Sequence, residues 1–194
     1  MQTVEVADRA AWRRWLRAHH ASSTGVWVLV RKKGGAPPGA TYVEVVEEGL
    51  CFGWIDSRAN PVDEHHYRLT MTPRKSGSVW SASNKERVAR LTAEGRMTSA
   101  GLAVVEAAKA DGSWDALSAV DALEVPEDLA AALAADPAAA RHFDAFPPSS
   151  KKMILYWIAS AKRPQTRARR VEETARLAAE NLRANQPQRR EPGR

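Results

Sequence analysis

The chain has a single cysteine, Cys51, in 194 residues. One thiol cannot close an internal disulfide, so a bridge-stapled fold is excluded, and a lone cysteine fits a reducing compartment, which makes the cytoplasm the expected location. Long hydrophobic runs are missing as well. No stretch reaches the ~20 apolar residues that a membrane span requires. The opening MQTVEVADRAAWRRWLRAHH has no basic segment followed by an apolar one, so no export signal is expected. There is no G-x-S-x-G elbow and no glycine loop of the kind that cradles phosphate, and no cofactor is implied.

What is present is enough for a hydrophobic core, because a chain of this length buries roughly 70% of its unfolded surface. The formal charge is +6, but it is unevenly placed. Residues 162–194 hold ten Lys/Arg against four Asp/Glu, which leaves nineteen of each sign in residues 1–161. Within that balanced part, residues 68–96 carry seven basic and two acidic side chains, whereas 111–144 carry one basic and eight acidic. The two patches are suited to pair with each other, or the basic one to receive an anion.

Periodicity predicts an α+β fold: a small N-terminal β-sheet unit with helices over residues 1–80, then a helical region over 81–185 packed on it as one integrated domain. Asp8 caps a helix in which Trp12, Trp15, Leu16 and His19 share a face. GVWVLVRKK reads as a buried strand, GGAPPGA as a loop, and Thr41 with Glu44 as a capping box opening a short helix toward Leu50. CFGWID, from Cys51 to Asp56, reads as a strand, with Cys51, Phe52 and Ile55 toward the core and Trp54 and Asp56 toward a functional face. HHYRLTM alternates as its hairpin partner, with Tyr67, Leu69 and Met71 on one side. After Trp80 every segment is helical. Ser83 with Glu86 and then Thr98 mark helix starts, Pro126 and Pro137 open short helices, Met153, Ile154, Trp157 and Ile158 stripe another, and Val171, Ala175, Ala178 and Leu182 the last. Residues 186–194 read as a disordered tail.

Cys51, flanked by Leu50 and Phe52, reads as a small core residue rather than a nucleophile. Asp63, Glu64, His65 and His66 read as a solvated turn, since neighbouring strand residues face opposite ways and only Glu64 and His66 share a side. No metal is expected. Residues 72–88, TPRKSGSVWSASNKERV, end a strand and open a helix, joining Arg74 and Lys75 to hydroxyl side chains and helix-terminal amides. The candidate ligand-binding set is therefore Trp54, Asp56, Arg58, Arg74, Lys75, Ser78, Trp80, Ser81, Asn84 and Arg87. Pairing of Arg74 with Asp56 is the purely structural alternative.

The stretch LCFGWIDSRANPVDEHHYRLTMTPRKSGSVWSASNKERVARLTAEGRMTSAGLAVVEAAKADGSWDAL, with FDAFPPSSKKMILYWIASAKRPQTRARRVEETARLAAEN near the end and AWRRWLRAHHASSTGVWVLVRKK near the start, resembles the YdeI/OmpD-associated (bacteriocin-protection) family of bacterial proteins. The resemblance spans about residues 6–185. It implies a bacterial origin, a part in resistance to antimicrobial peptides and association with an outer-membrane porin, and it brings no catalytic residues.

Three functions follow as expectations. The first is a non-enzymatic protection or stress factor that binds a protein partner or a small anionic ligand at the 72–87 loop. The second is an enzyme acting on a phosphate-bearing small molecule, with Asp56 as general base and Arg74 and Arg87 holding charge. The third, weaker, is a nucleic-acid arm using Arg167, Arg169 and Arg170, diluted by Glu172, Glu173 and Glu180.

Overall fold

A computed structural model describes residues 1–34 and 39–186. The middle of the expected GGAPPGA loop, residues 35–38, and the tail from residue 187 lie outside the described residues. The chain divides into two compact units, residues 1–116 and 117–194.

The first unit is built on a four-stranded sheet of order β1-β2-β4-β3. Its strands are β1 (Thr3–Glu5), β2 (Val26–Arg31), β3 (Trp54–Pro61) and β4 (His66–Pro73), and its helices are α1 (Arg9–His19), α2 (Tyr42–Cys51), α3 (Ala82–Ala93) and α4 (Ser99–Ala110). β1 runs parallel to β2, and the other pairings are antiparallel. Val26, Val28 and Val30 point inward and their neighbours are half-buried, so β2 buries one face rather than two. Leu69 and Met71 join them, with a bulge in β3 between Asp56 and Ala59. Asp8 caps α1 by accepting from the Ala11 amide at 2.7 Å. Trp12 and Leu16 enter the core, while His19 stays exposed and stacks on Trp15.

The segment from Cys51 differs from the strand its composition suggests. α2, opened by the expected Thr41–Glu44 capping box, continues through Cys51, and the chain turns at Phe52 and Gly53 before β3 starts at Trp54. Gly53 adopts φ +77°, open to glycine at little cost. The carbonyl of Cys51 is then taken by Thr98, whose hydroxyl donates at 2.6 Å and whose amide donates at 3.1 Å. Thr98 also caps α4, and a Cβ on Gly101 would collide with that same carbonyl. Only a glycine lets α4 come this close to the end of α2. The inward set consequently changes: Trp54 is 1% exposed and belongs to the core, while Ile55 is only half-buried.

The second unit is helical throughout its described residues: α5 (Ser118–Asp121), α6 (Glu127–Ala134), α7 (Pro137–Ala145), α8 (Pro148–Ala159) and α9 (Pro164–Ala179). Proline occupies the first position of α7, α8 and α9, where its missing N–H costs nothing, and Pro126 stands one residue ahead of α6. Leu129, Leu133, Phe143, Ile154, Ile158 and Val171 form its core. On α8 the buried face is Ile154, Leu155 and Ile158, and Met153, expected among them, is exposed. Leu182 lies past the end of α9 and is exposed too. Gln186 is tied to Ser150 by two hydrogen bonds, so the chain stays anchored up to that residue. No described helix is long and apolar enough to cross a membrane.

Candidate functional site

Arg74 follows the last residue of β4, and its amide donates to the Gly53 carbonyl at 2.9 Å. The residue is only 8% exposed, and its guanidinium lies over the Trp80 ring, 3.7 Å from the centroid. Nη1 donates to the carbonyls of Val79 at 3.0 Å and Ser78 at 3.4 Å. Nε and Nη2 have no partner among the described residues, and neither has the Trp80 indole N–H. Three buried donors at one place are thus unanswered. Burial lowers the arginine's pKa to about 10, against the opposing charge of Asp56. An unmet buried donor costs ~1–3 kcal/mol, which a cation–π contact of ~2 kcal/mol offsets only in part.

Arg74 lines a cavity of about 100 Å³ with the turn at residues 75–78, Trp80 and the end of α4. Two of the turn's donors, the Ser76 hydroxyl and the Gly77 amide, are taken by Asp111. Asp111 accepts from the Gly77 amide at 3.1 Å and from the Ser76 hydroxyl at 3.2 Å, and its other oxygen accepts from the Ser113 amide at 2.9 Å. The hydrogen bonds with Ser113, then that from Gly77, hold its carboxyl down to about 2. The basic and acidic stretches of the sequence do meet, through the Lys85–Asp115 ion pair at 2.8 Å, while Asp111 takes neutral donors and Arg74 is left over.

The other predicted residues separate into groups. Ser78 and Trp80 stand with Arg74, and Lys75 lines the same cavity. Ser81, not Ser83, caps α3, accepting from the Asn84 amide at 3.3 Å. Ser83 is already the second residue of the helix, two positions past the cap. Asn84 in turn accepts from Arg87 at 3.0 Å. Trp54 is no wall of the site: it packs edge-on to Trp12 and Trp15 and donates to the His20 carbonyl at 3.3 Å. Arg58 is exposed on the bulged part of β3. Asp56 does not pair with Arg74, since Oδ2 accepts from the Tyr42 hydroxyl at 3.0 Å. Burial, then the charge of Asp56, pushes the Tyr42 phenol up to about 12, with Arg87 acting the other way. Tyr67 is raised by the same two causes. Asp56, Tyr42, Tyr67 and Arg87 thus form a second polar patch, half-open to solvent.

Cys51 is buried and free, and its thiol is pushed up by burial and by Glu48. It serves the core. Asp63 closes its turn by accepting from the amides of His65 and His66, both at 2.7 Å, which lowers its pKa. Among the described residues no group of three or more His, Cys, Asp or Glu is placed to hold a metal.

The sequence reading missed the largest charged cluster. Glu47 and Glu48 on α2 are 3% and 1% exposed. Arg9 contacts Glu47 at 2.9 Å and Arg13 contacts Glu48 at 2.6 Å, while Arg90 pairs with Glu47 and Arg96 with Glu48. The pairs tie α1, α3 and the segment after it to α2. Two consecutive acids inside VEVVEEGLC were the available signal, because no one-sided amphipathic pattern explains them.

In the second unit the arginines expected to meet phosphates are largely engaged. Arg167 pairs with Asp128 at 2.7 Å, and Arg170 lies over the Trp157 ring at 5.0 Å and donates to Ser160 at 3.0 Å.

The sequence itself divides where the fold does. Residues 4–104 match the model of a domain of unknown function, DUF8412, and residues 122–181 match the family described as bacteriocin-protection, YdeI or OmpD-associated. The chain belongs to the DUF8412 family and carries a YdeI/OmpD-associated segment. That segment lies wholly within the second unit, so the resemblance first traced over most of the chain is narrowed to α6–α9 and their flanks. Comparison with curated proteins and with solved structures finds no match.

Proposed function

We propose that the first unit is a non-catalytic binding module for a small anion, the carboxylate or phosphate group of a ligand or protein partner, held by Arg74 beside Trp80. One observation carries this reading: a guanidinium 8% exposed, with Nε, Nη2 and the neighbouring indole N–H all lacking partners among the described residues. An anion accepting from those donors gains charge-assisted bonds and removes the penalty of leaving them unmet. The description of the family matched by the second unit, bacteriocin protection, accords with a protein that binds rather than turns over. A cytoplasmic setting is proposed with it, in keeping with a free, buried cysteine.

The enzymatic alternative rests on the Asp56–Tyr42 contact at 3.0 Å, which sets a carboxylate beside a hydroxyl within reach of the Arg87 charge. It is the less supported, because Arg74 does not pair with Asp56 and Arg87 is held by Asn84. The test is thermal denaturation with inorganic phosphate, sulfate and acetate, for the natural chain and Arg74→Met. A ligand at 100 times its dissociation constant stabilises by ~2.7 kcal/mol. The expected outcome is an anion-dependent rise that Arg74→Met abolishes, while the free variant melts close to the natural temperature, since methionine fills the stem's space and removes the unmet guanidinium donors along with the bonds to Ser78 and Val79. A variant that is strongly destabilised when free, or that keeps the anion response, refutes the proposal.

A further inference from the structure

We propose that the groove between α6 and α9 is a docking site for one cationic amphipathic helix of a separate polypeptide, about four turns long. The proposal is independent of the anion site in the first unit.

The groove encloses about 690 Å³. Its floor is made of small side chains, Ala132 from α6 and Ala168, Ala175 and Ala179 from α9, with Val171 at the base. Lining positions on α9 recur at 164, 168, 171, 175 and 179, so the stripe follows the whole of Pro164–Ala179. Sixteen residues of helix rise about 24 Å. A long apolar floor without bulky side chains lets another helix lay its i, i+3, i+4, i+7 face into it at close axial distance. No described part of the second unit fills that space.

The rim gives the occupant its sign. Asp128 is neutralised by Arg167 at 2.7 Å and Glu180 by Arg176 at 3.2 Å. Asp136 and Glu172 are the remaining carboxylates of the rim, and neither has a cationic partner among the described residues. Asp136 caps α7, accepting from the Ala138 amide at 2.8 Å, and Glu172 is exposed, so four carboxylates against two guanidiniums border an apolar floor in a chain whose formal charge is +6. A cationic helix that settles here does so against the overall field of the protein, which favours local complementarity over general attraction.

The test uses the full chain and a fluorescent helical peptide of leucine and lysine, about 18 residues long, with leucines at helical spacing. A leucine and glutamate counterpart serves as control, and fluorescence anisotropy is the readout. Saturable binding of one lysine peptide per chain is expected, with none of the glutamate peptide. Ala175→Leu fills the floor and Glu172→Lys reverses the rim, and each should weaken binding about tenfold or more without altering the melting temperature. Equal affinity for the two peptides, or affinity unchanged in both variants, overturns the proposal. So does sedimentation as a dimer that Ala175→Leu converts to a monomer, since the occupant is then a second copy of this chain. Should Ala175→Leu fail to fold, Glu172→Lys decides alone, because Glu172 is exposed and has no side-chain hydrogen bond or ion pair among the described residues.

Discussion

The two units handle charge in opposite ways. The first draws Glu47, Glu48 and Arg74 below the surface, whereas the buried polar side chains described in the second are only Ser150 and Thr174. In the first unit, then, the helices are positioned by charges that must find each other, with Arg9, Arg13, Arg90 and Arg96 converging on α2. The second is assembled from apolar helix faces, and its ion pairs stand at a rim. The difference teaches where each unit is vulnerable: inside for the first, at its surface for the second.

The sharpest way to break the contrast is to remove one carboxylate from each. Glu48→Ala leaves Arg13 and Arg96 without their shared partner; Glu48 is buried but both arginines are about a quarter exposed, so the expected loss is about 2–3 kcal/mol, below the cost of breaking a fully buried pair. Asp128→Ala removes half of a pair in which both side chains are more than a third exposed, and the expected loss is at most about 1 kcal/mol. Urea denaturation measures both, with tryptophan emission as the readout for the Glu48 variant. Six of the seven tryptophans report on the first unit and only Trp157 on the second, so the Asp128 variant is better followed by circular dichroism. Equal costs would mean that the Glu48 cluster is as hydrated as a surface pair.

Close packing offers the next comparison. Gly101→Ala sets a methyl against the Cys51 carbonyl and must push α4 away from α2, at a cost on the order of 3 kcal/mol. Ala175→Leu on the open floor of the second unit should change stability by less than about 1 kcal/mol, because its added atoms enter space that none of the second unit's described residues fills. Thermal melting of the two variants is the measurement. A large loss for Ala175→Leu would show that the groove is filled in solution.

Local rules were the legible part of this fold. Asp8, Thr41 and Thr98 announce helix starts because capping is decided within four residues, β4 alternates over enough positions to be legible, and β2 stands out as a run rich in β-branched residues. β1 escaped because three residues carry no period, and its existence depends on pairing with a strand more than twenty positions away. Cys51 reads as a strand residue because its immediate neighbours Leu50 and Phe52 are apolar, and in a short apolar run helix and strand look alike. For the candidate site, Arg74, Ser78 and Trp80 were within reach, being local to one loop. Asp111 was not, since nothing in a sequence states that a carboxylate thirty-four residues on will take the Gly77 amide. The alanines of α9 advertised helix propensity, and only the placement of α6 turns them into a floor.

The smallest effect concerns the half-open patch of the first unit and is best read spectroscopically. Burial and then Asp56 push the Tyr42 phenol from the ordinary 10.0 up to about 12. The folded chain therefore keeps a proton that the unfolded chain loses between those values. The associated stability is complete below pH 10 and disappears as pH rises through about 12, a modest term because the ring is 39% exposed. Phenolate absorbance of the native protein, which has three tyrosines, should accordingly contain a late component. Tyr42→Phe should delete the latest part of it, and Asp56→Asn should move that part downward, because it removes the second cause of the shift and leaves burial in place. Tyr67, raised by burial and by the same aspartate, should follow in the Asp56 variant but not in the Tyr42 one. If all three phenols instead titrate together near 10, the Tyr42–Asp56 hydrogen bond is not held in solution, and the carboxylate is free for the role of base that the enzymatic reading requires.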